Sequence, residues 1–347
     1  MMEELAKKFA GYLQHKMPHV SNVEVRDLSR IHGGASRETY RLTGHWDDGG
    51  AAVAKPLILR RDPEVSLIET ERDLEFNAYL AFHGTGVPVP EALFLELETK
   101  WLDRPFFVME QIIESEAASP FLPDPYGALA DKLAPQFFGI LGKISAQQPD
   151  AIGLASSMEQ PALEACAVGQ LDYWVGEINK DALEPNPLLQ SAIRWLRRNP
   201  PPPPKRLSVV HGDYRTGNFL YNTSGDITAI LDWEMCHLGD PLEDLAWAID
   251  PLWAFENGDR PASLMEREAA LALWEEASGF DIDRAALLWW EVFSAVKGLA
   301  IWISAGKEFQ TGGNADPIMG LSSWYCTDVH TRLLAARMPK LRAEERS

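Results

Sequence analysis

Cysteine is scarce: the 347-residue chain has three, Cys166, Cys236 and Cys326, far apart and odd in number. That excludes a disulfide framework and provides no paired zinc ligands. A reducing compartment, the cytoplasm, is the expected setting. Positive charge is also short, with 32 Lys and Arg against 51 Asp and Glu and a net charge of −19. Such a surface repels a phosphate backbone, so nucleic acid is not an expected partner. It suits a cationic ligand, or serves only solubility. The opening MMEELAKKFAGYLQHKMPHV holds no long apolar run, so neither a signal peptide nor a membrane span is expected there. No G-x-S-x-G occurs, which removes a nucleophile elbow. The eight histidines lack zinc-ligand spacing.

What is present is a globular composition. Hydrophobic residues make up 46% and charged ones 24%, enough for a buried core in one large or two ordinary domains. Leu5, Phe9, Tyr12 and Leu13 recur at helical spacing. Strands are expected over residues 20–61. There RETYRLTGHW meets the turn DDGG and returns as AAVAKPLILRR, with Pro56 predicting an edge or a bulge. A helix follows over Leu67–Phe82, ended by HGTGVPVP, and then the strands EALFLELE and RPFFVMEQII. Beyond Glu114, helices dominate: Tyr126–Gln148, Glu159–Asn179, Pro187–Arg198, Pro241–Phe255, Leu264–Ser278 and Arg284–Ala305. Pro200–Pro204 is read as a stiff extended connector.

The exception among the helices is VVHGDYRTGNFLYNTSGDITAILDWE, Val209–Glu234. SVVHGD reads as a short buried strand running into a loop. FLYN and ITAILD read as strands joined by Thr223–Asp226. A hairpin brings its ends together, so Asn218 and Asp232 fall side by side and Asp213 can face the same space. An amide oxygen and a carboxylate suit a hard cation such as Mg2+ carrying nucleotide phosphates. A further carboxylate beside them can accept a proton from a hydroxyl. The spacing Asp-x-x-x-x-Asn is that of protein-kinase catalytic loops.

HGDYRTGN, ILDWE and GDPLEDLAW together resemble the aminoglycoside phosphotransferase family, from about Leu28 to Leu334. The closest branch is similar to the kinase-like domain fused to some acyl-CoA dehydrogenases. The resemblance implies an α+β, bilobal protein-kinase-like fold: a small β-rich nucleotide-binding lobe over 1–112 and a large helical acceptor lobe over 113–347. It implies ATP and Mg2+ as cofactors, a small-molecule hydroxyl as acceptor, no membrane, and a monomer or homodimer. In this pattern Asp213 is the base, Asn218 and Asp232 are metal ligands, and His211 is a structural pin.

The same resemblance assigns the small lobe. Gly33, Gly34 and Ser36 form a turn whose N–H groups cover phosphates. Lys55, in AVAK, and Arg60, in LILR, compete for the α/β-phosphates, with Arg60 favoured because Pro56 follows Lys55. Glu75, or Glu71 one turn earlier, is the partner of that cation. Backbone groups of Glu110, Gln111 and Ile112 meet the adenine. Asp240, Pro241 and Glu243 read locally as an N-cap with a capping box, with Asp240 and Asp244 as possible braces of the catalytic loop. Trp247, Trp253, Trp289, Trp290, Trp302 and Trp324 read mostly as helix core, with one or two left to line an acceptor pocket. A nucleotide-binding scaffold without transfer is the alternative; retention of Asp213, Asn218 and Asp232 argues against it.

Overall fold

The structure is a computed structural model, and it describes residues 2–31, 38–62, 72–314 and 316–344. The chain divides into two compact units, Met1–Ser115 and Glu116–Ser347. The fold class is α+β, a β-sheet N-terminal unit followed by a mainly helical C-terminal one. A two-residue strand, β6 (Ser115–Glu116), falls at the division between them.

The first unit opens with helix α1 (Met2–Lys16) and contains β1 (Ser21–Ile31), β2 (Glu38–Asp48), β3 (Ala51–Arg61), helix α2 (Arg72–Phe82), β4 (Ala92–Glu96) and β5 (Phe106–Glu110). The strands form one antiparallel sheet in the order β1-β2-β3-β5-β4. Asp48 pairs with Ala51 across Gly49 and Gly50, at φ 56° and 88°. Two consecutive positive φ values are what a tight hairpin turn of the right twist demands, and glycine supplies them without strain. Leu5, Phe9, Tyr12 and Leu13 of α1 pack on Tyr40, Leu42, Leu57, Leu59, Phe106 and Val108 of the sheet. The helical spacing of those four apolar residues thus became the core face of α1.

Pro56 interrupts nothing: β2 and β3 stay in register through Thr43↔Pro56. The pairing of β3 with β5 begins one residue later, at Leu57↔Glu110. Just beyond that ladder the Pro56 carbonyl still accepts the Gln111 N–H at 3.1 Å, and the β2–β3 pairing loses no bond for want of the Pro56 N–H. The helix start expected at Leu67 lies outside the described residues.

The second unit contains α3 (Ala130–Ala146), α4 (Cys166–Asp181), α5 (Pro187–Arg198), β7 (Ser208–Val210), β8 (Phe219–Asn222), β9 (Ile227–Ile230), β10 (His237–Gly239), α6 (Leu242–Ala248), α7 (Arg267–Ser278), α8 (Arg284–Thr311) and α9 (Pro317–Glu344). The apolar helix α8 packs against α4, α5, α6 and α9. It is long and apolar enough to cross a bilayer, yet 78% of its most apolar stretch is buried inside the unit. It is the central core helix, with Trp289, Trp290 and Phe293 forming a close aromatic group.

Two helix expectations need correction. The helix expected over Pro241–Phe255 stops at Ala248, because Pro251 pushes Asp250 into extended backbone (ψ 130°). Asp250 then caps a separate short turn by accepting the Leu252 N–H at 2.9 Å. Helix α9 was not foreseen, and Trp324 on it is 72% exposed rather than core. All three cysteines are free and buried, in α4, beside β10 and in α9. Burial raises Cys166 to about 11 and Cys326 to about 12, and lifts Cys236 well above the ordinary thiol value.

Candidate active site

The Val209–Glu234 stretch folds as two antiparallel pairs. β7 pairs with β10, Val210 facing His237 and Ser208 facing Gly239. β8 pairs with β9, Phe219 facing Ile230. The β8–β9 turn is held by Asn222, whose Oδ1 accepts the N–H groups of Ser224 and Asp226, both at 3.0 Å. At the open end of that hairpin the Asn218 carbonyl accepts the Leu231 N–H at 2.8 Å. This fixes Asn218 beside the residue that precedes Asp232. Asp232 adopts the left-handed region (φ 68°, ψ 57°), which Asp enters more readily than most residues, and a short turn over Trp233–Met235 follows.

Asp213 stands in the loop between β7 and β8. Its carboxylate accepts hydrogen bonds from three side chains. Arg215 Nε donates to Oδ1 at 2.9 Å and Oδ2 at 3.1 Å, Trp247 Nε1 to Oδ1 at 2.8 Å, and Asn218 Nδ2 to Oδ2 at 2.6 Å. Asn218 Nδ2 also reaches the Asp213 carbonyl at 2.9 Å. Two acceptors facing one amide end require that end to be the NH2, which leaves Oδ1 as the Asn218 atom for a cation. The donor set, one amide oxygen and the Asp232 carboxylate, is all oxygen and small. It fits Mg2+, which keeps water and phosphate oxygens in its shell instead of a full protein cage. Among the described residues no group of three or more His, Cys, Asp or Glu forms a metal cluster.

His211 is fully buried. Its Nδ1 accepts the Asp213 N–H at 3.1 Å and its Nε2–H donates to the Leu231 carbonyl at 2.9 Å. Burial drives it down to about 4, so at neutral pH it is an uncharged tie between the loop and β9. Trp233 packs on its ring at 4.5 Å.

Behind the loop the GDPLEDLAW segment does more than cap a helix. Asp240 Oδ1 accepts the Leu242 N–H at 2.9 Å and Oδ2 accepts Trp290 Nε1 at 3.2 Å. Glu243 makes no capping box. It turns inward to Lys297 Nζ at 3.0 Å and His237 Nε2 at 3.1 Å, because a buried carboxylate needs cations more than a helix end needs a second cap. Asp244 accepts the N–H of His211 at 2.5 Å and of Gly212 at 2.9 Å. Burial pushes Asp240 and Asp244 up to about 6. Burial would raise Glu243 too, but Lys297 and His237 hold it down at about 2.

In the first unit, Arg60 Nη1 donates to Glu75 Oε1 at 2.6 Å, with the Glu75 side chain fully buried. Glu75 shares the inward face of α2 with Ala78, Tyr79 and Phe82, where an acid persists only if paired. Lys55, the competing cation, pairs instead with Glu91 at 3.1 Å. Glu110 donates its N–H to the Glu91 carbonyl at 2.9 Å, and its Oε1 accepts the Glu91 N–H at 2.9 Å. Gln111 donates its N–H to the Pro56 carbonyl at 3.1 Å, and Ile112 follows it out of the sheet. Gly33, Gly34, Ser36 and the alternative Glu71 lie outside the described residues.

Sequence reasoning missed Arg215, Trp247 as a ligand of Asp213, and Lys297. Arg215 was legible as the one cation inside the loop motif. Lys297 was legible as a lone cation in the run LLWWEVFSAVKGLAIWI.

The model of the phosphotransferase enzyme family (APH) matches residues 27–288. Mouse Acyl-CoA dehydrogenase family member 10 is 27% identical over 225 residues, 64% of this chain and 20% of that protein. The chain thus spans a minor part of that relative's length. A structure from Ralstonia eutropha, provisionally assigned as an aminoglycoside phosphotransferase, superposes with a TM-score of 0.72 at 19% identity, covering 94% of this chain and 95% of that one. The aminoglycoside phosphotransferase APH(4)-Ia, in ternary complex with AMP-PNP and hygromycin B, gives 0.56 at 16% identity, covering 96% and 99%. These structural likenesses are of fold.

Proposed function

This chain belongs to the APH phosphotransferase enzyme family, and from that premise we propose that it moves the γ-phosphoryl group of ATP to a hydroxyl of a small molecule. One observation carries the reading: Asp213 is locked by Asn218, Trp247 and Arg215, and Asn218 is itself pinned beside Asp232. That is the arrangement a loose, largely dissociative phosphoryl transfer needs, since the protein's task there is positioning and charge stabilisation.

In this reading Asp213 orients the acceptor hydroxyl and takes its proton. A carboxylate has about four lone-pair sites, and its present donors engage both oxygens, so the incoming hydroxyl displaces one of them. The Arg215 contact to Oδ2, the longest at 3.1 Å, is the one to yield. Asn218 and Asp232 hold Mg2+, which when bound neutralises charge on the transferring phosphate. Arg60, steadied by Glu75, grips the α/β-phosphates, and a fork-shaped guanidinium suits them. Gly33, Gly34 and Ser36 cover the phosphates, and the linker Glu110, Gln111 and Ile112 meets the adenine. The bound AMP-PNP of APH(4)-Ia supports the choice of an adenine nucleotide.

The acceptor we propose is a hydroxylated metabolite such as a hydroxyacyl-CoA rather than a polycationic aminoglycoside. Next to Asp213 stand a cation, Arg215, and aromatic rings. Arg215 lies over Trp253 at 4.6 Å, and Trp253 packs on Trp247 at 5.1 Å. The protein acts in the cytoplasm, as a monomer or homodimer. The test is a thermal-shift screen of Mg-nucleotides with aminoglycosides, choline, sugars and hydroxyacyl-CoA, followed by detection of phosphorylated product. Asp213→Asn should bind Mg-ATP and give no product. Normal turnover in that variant would sink the reading, and Mg-ATP binding with no product from any alcohol would favour a non-catalytic scaffold.

A further inference from the structure

Lys297 sits in the middle of the apolar helix α8 with 1% of its side chain exposed. A buried ammonium is tolerated only when its donors are engaged. Its Nζ donates to the Gly212 carbonyl at 2.7 Å and to Glu243 Oε1 at 3.0 Å, over the rings of Trp247 at 5.1 Å and Trp174 at 5.8 Å. Glu243 is shared with His237, whose other ring nitrogen faces the Met235 carbonyl at 2.9 Å.

The Gly212 carbonyl belongs to the peptide that leads straight into Asp213. The other end of that peptide, the Asp213 N–H, is taken by His211 Nδ1. Gly212 adopts φ +85°, and a Cβ there would lie 2.4 Å from the Met235 carbonyl oxygen, so glycine is obligatory. A glycine before a catalytic carboxylate is a swivel, and a swivel needs a lock. Asp244 holds the preceding peptide by the Gly212 N–H. Lys297 holds the following one by its oxygen. The same ammonium also backs the ring of Trp247, whose N–H fixes Asp213 Oδ1.

We propose that Lys297 is a positioning residue that locks the Gly212–Asp213 peptide and thereby the direction of the Asp213 carboxylate. Its effect on rate rests on the role of Asp213 proposed above; its effect on the loop does not. The test compares the full chain with Lys297→Met, which removes the donor, and Lys297→Gln, which keeps a donor without charge. Lys297→Met should speed amide hydrogen exchange across residues 209–218 by at least about ten-fold while distant helices stay protected. It should lower kcat for Mg-ATP hydrolysis, with water as acceptor, by about 100-fold with KM for Mg-ATP within about two-fold. Lys297→Gln should recover part of both losses. A folded Lys297→Met protein with wild-type exchange over 209–218 overturns the proposal, as does a rise in KM with kcat intact. Should both variants fail to fold, the wild-type protein decides. Its Lys297 Nζ protons should exchange with water far more slowly than those of surface lysines by 15N NMR, and ordinary exchange there overturns the lock. A wild-type chain inactive on Mg-ATP would count against phosphotransfer, while the exchange measurements would still judge Lys297.

Discussion

Replacing Asp244 by Ala tests the brace behind the loop in the most direct way. Its carboxylate, 1% exposed, is the partner of two backbone N–H groups, those of His211 and Gly212. A hydrogen bond to a charged group contributes roughly 1.5–3 kcal/mol, and a buried donor left bare costs roughly 1–3 kcal/mol. Two bonds would therefore be worth roughly 3–6 kcal/mol, but the vacated space can admit a water that serves one N–H. The expected loss is about 3 kcal/mol. Asp244→Asn keeps one carbonyl oxygen for one N–H and turns an NH2 toward the other, so its expected loss is smaller, about 2 kcal/mol. In thermal unfolding followed by far-UV circular dichroism, the alanine variant should melt roughly 6–12 °C below wild type, with asparagine between. An alanine variant within about 0.5 kcal/mol of wild type would refute the claim that this carboxylate holds the loop.

Other expectations follow from the same contacts. Arg60→Met and Glu75→Gln should each raise KM for Mg-ATP, and the double variant should be no worse than the worse single one, since both break one contact; additive losses in a double-mutant cycle would separate the two residues. Trp247→Phe removes the 2.8 Å bond to Asp213 and part of a buried indole, so kcat should fall about ten-fold while the cavity lowers the melting temperature by roughly 2–4 °C per kcal/mol lost. His211 is held near 4 against its ordinary 6.5. A folded value below the unfolded one means its neutral form contributes stability above pH 6.5 that is lost as pH falls toward 4. The stability gap between wild type and His211→Gln should thus narrow by roughly 3 kcal/mol from pH 7.5 to pH 4; a gap independent of pH would mean the ring titrates in the fold as it does in the unfolded chain.

What the sequence revealed and what it hid divide by range along the chain. The β8–β9 hairpin and the Gly49–Gly50 turn were readable because each is built by neighbours whose turn chemistry is local. α1 was readable because its apolar residues share one stripe. α9 was not: Gly320 and Pro339 lie inside it, and the exposed Ile318, Leu321 and Trp324 mask the buried face of Met319, Cys326, Leu334 and Met338. Glu243 misled because its local signal, an acid three residues past Asp240, was genuine chemistry for a cap. A cation 54 residues away outbid the helix end. Lys297 hid for the reverse reason: the apolar run around it announced core, and nothing in that run says that Gly212, 85 residues earlier, comes within hydrogen-bond reach.

The three buried thiols have a practical consequence. At neutral pH each is almost wholly protonated and out of reach of solvent, so an alkylating reagent can modify it only in molecules whose surrounding element has opened. Cys166 times the opening of α4, Cys326 that of α9, and Cys236 that of the backing behind Asp213. The native chain therefore carries its own set of three unfolding clocks. Read by mass spectrometry at each site, they would tell whether nucleotide slows the breathing of the Asp213 loop alone or of the whole helical unit.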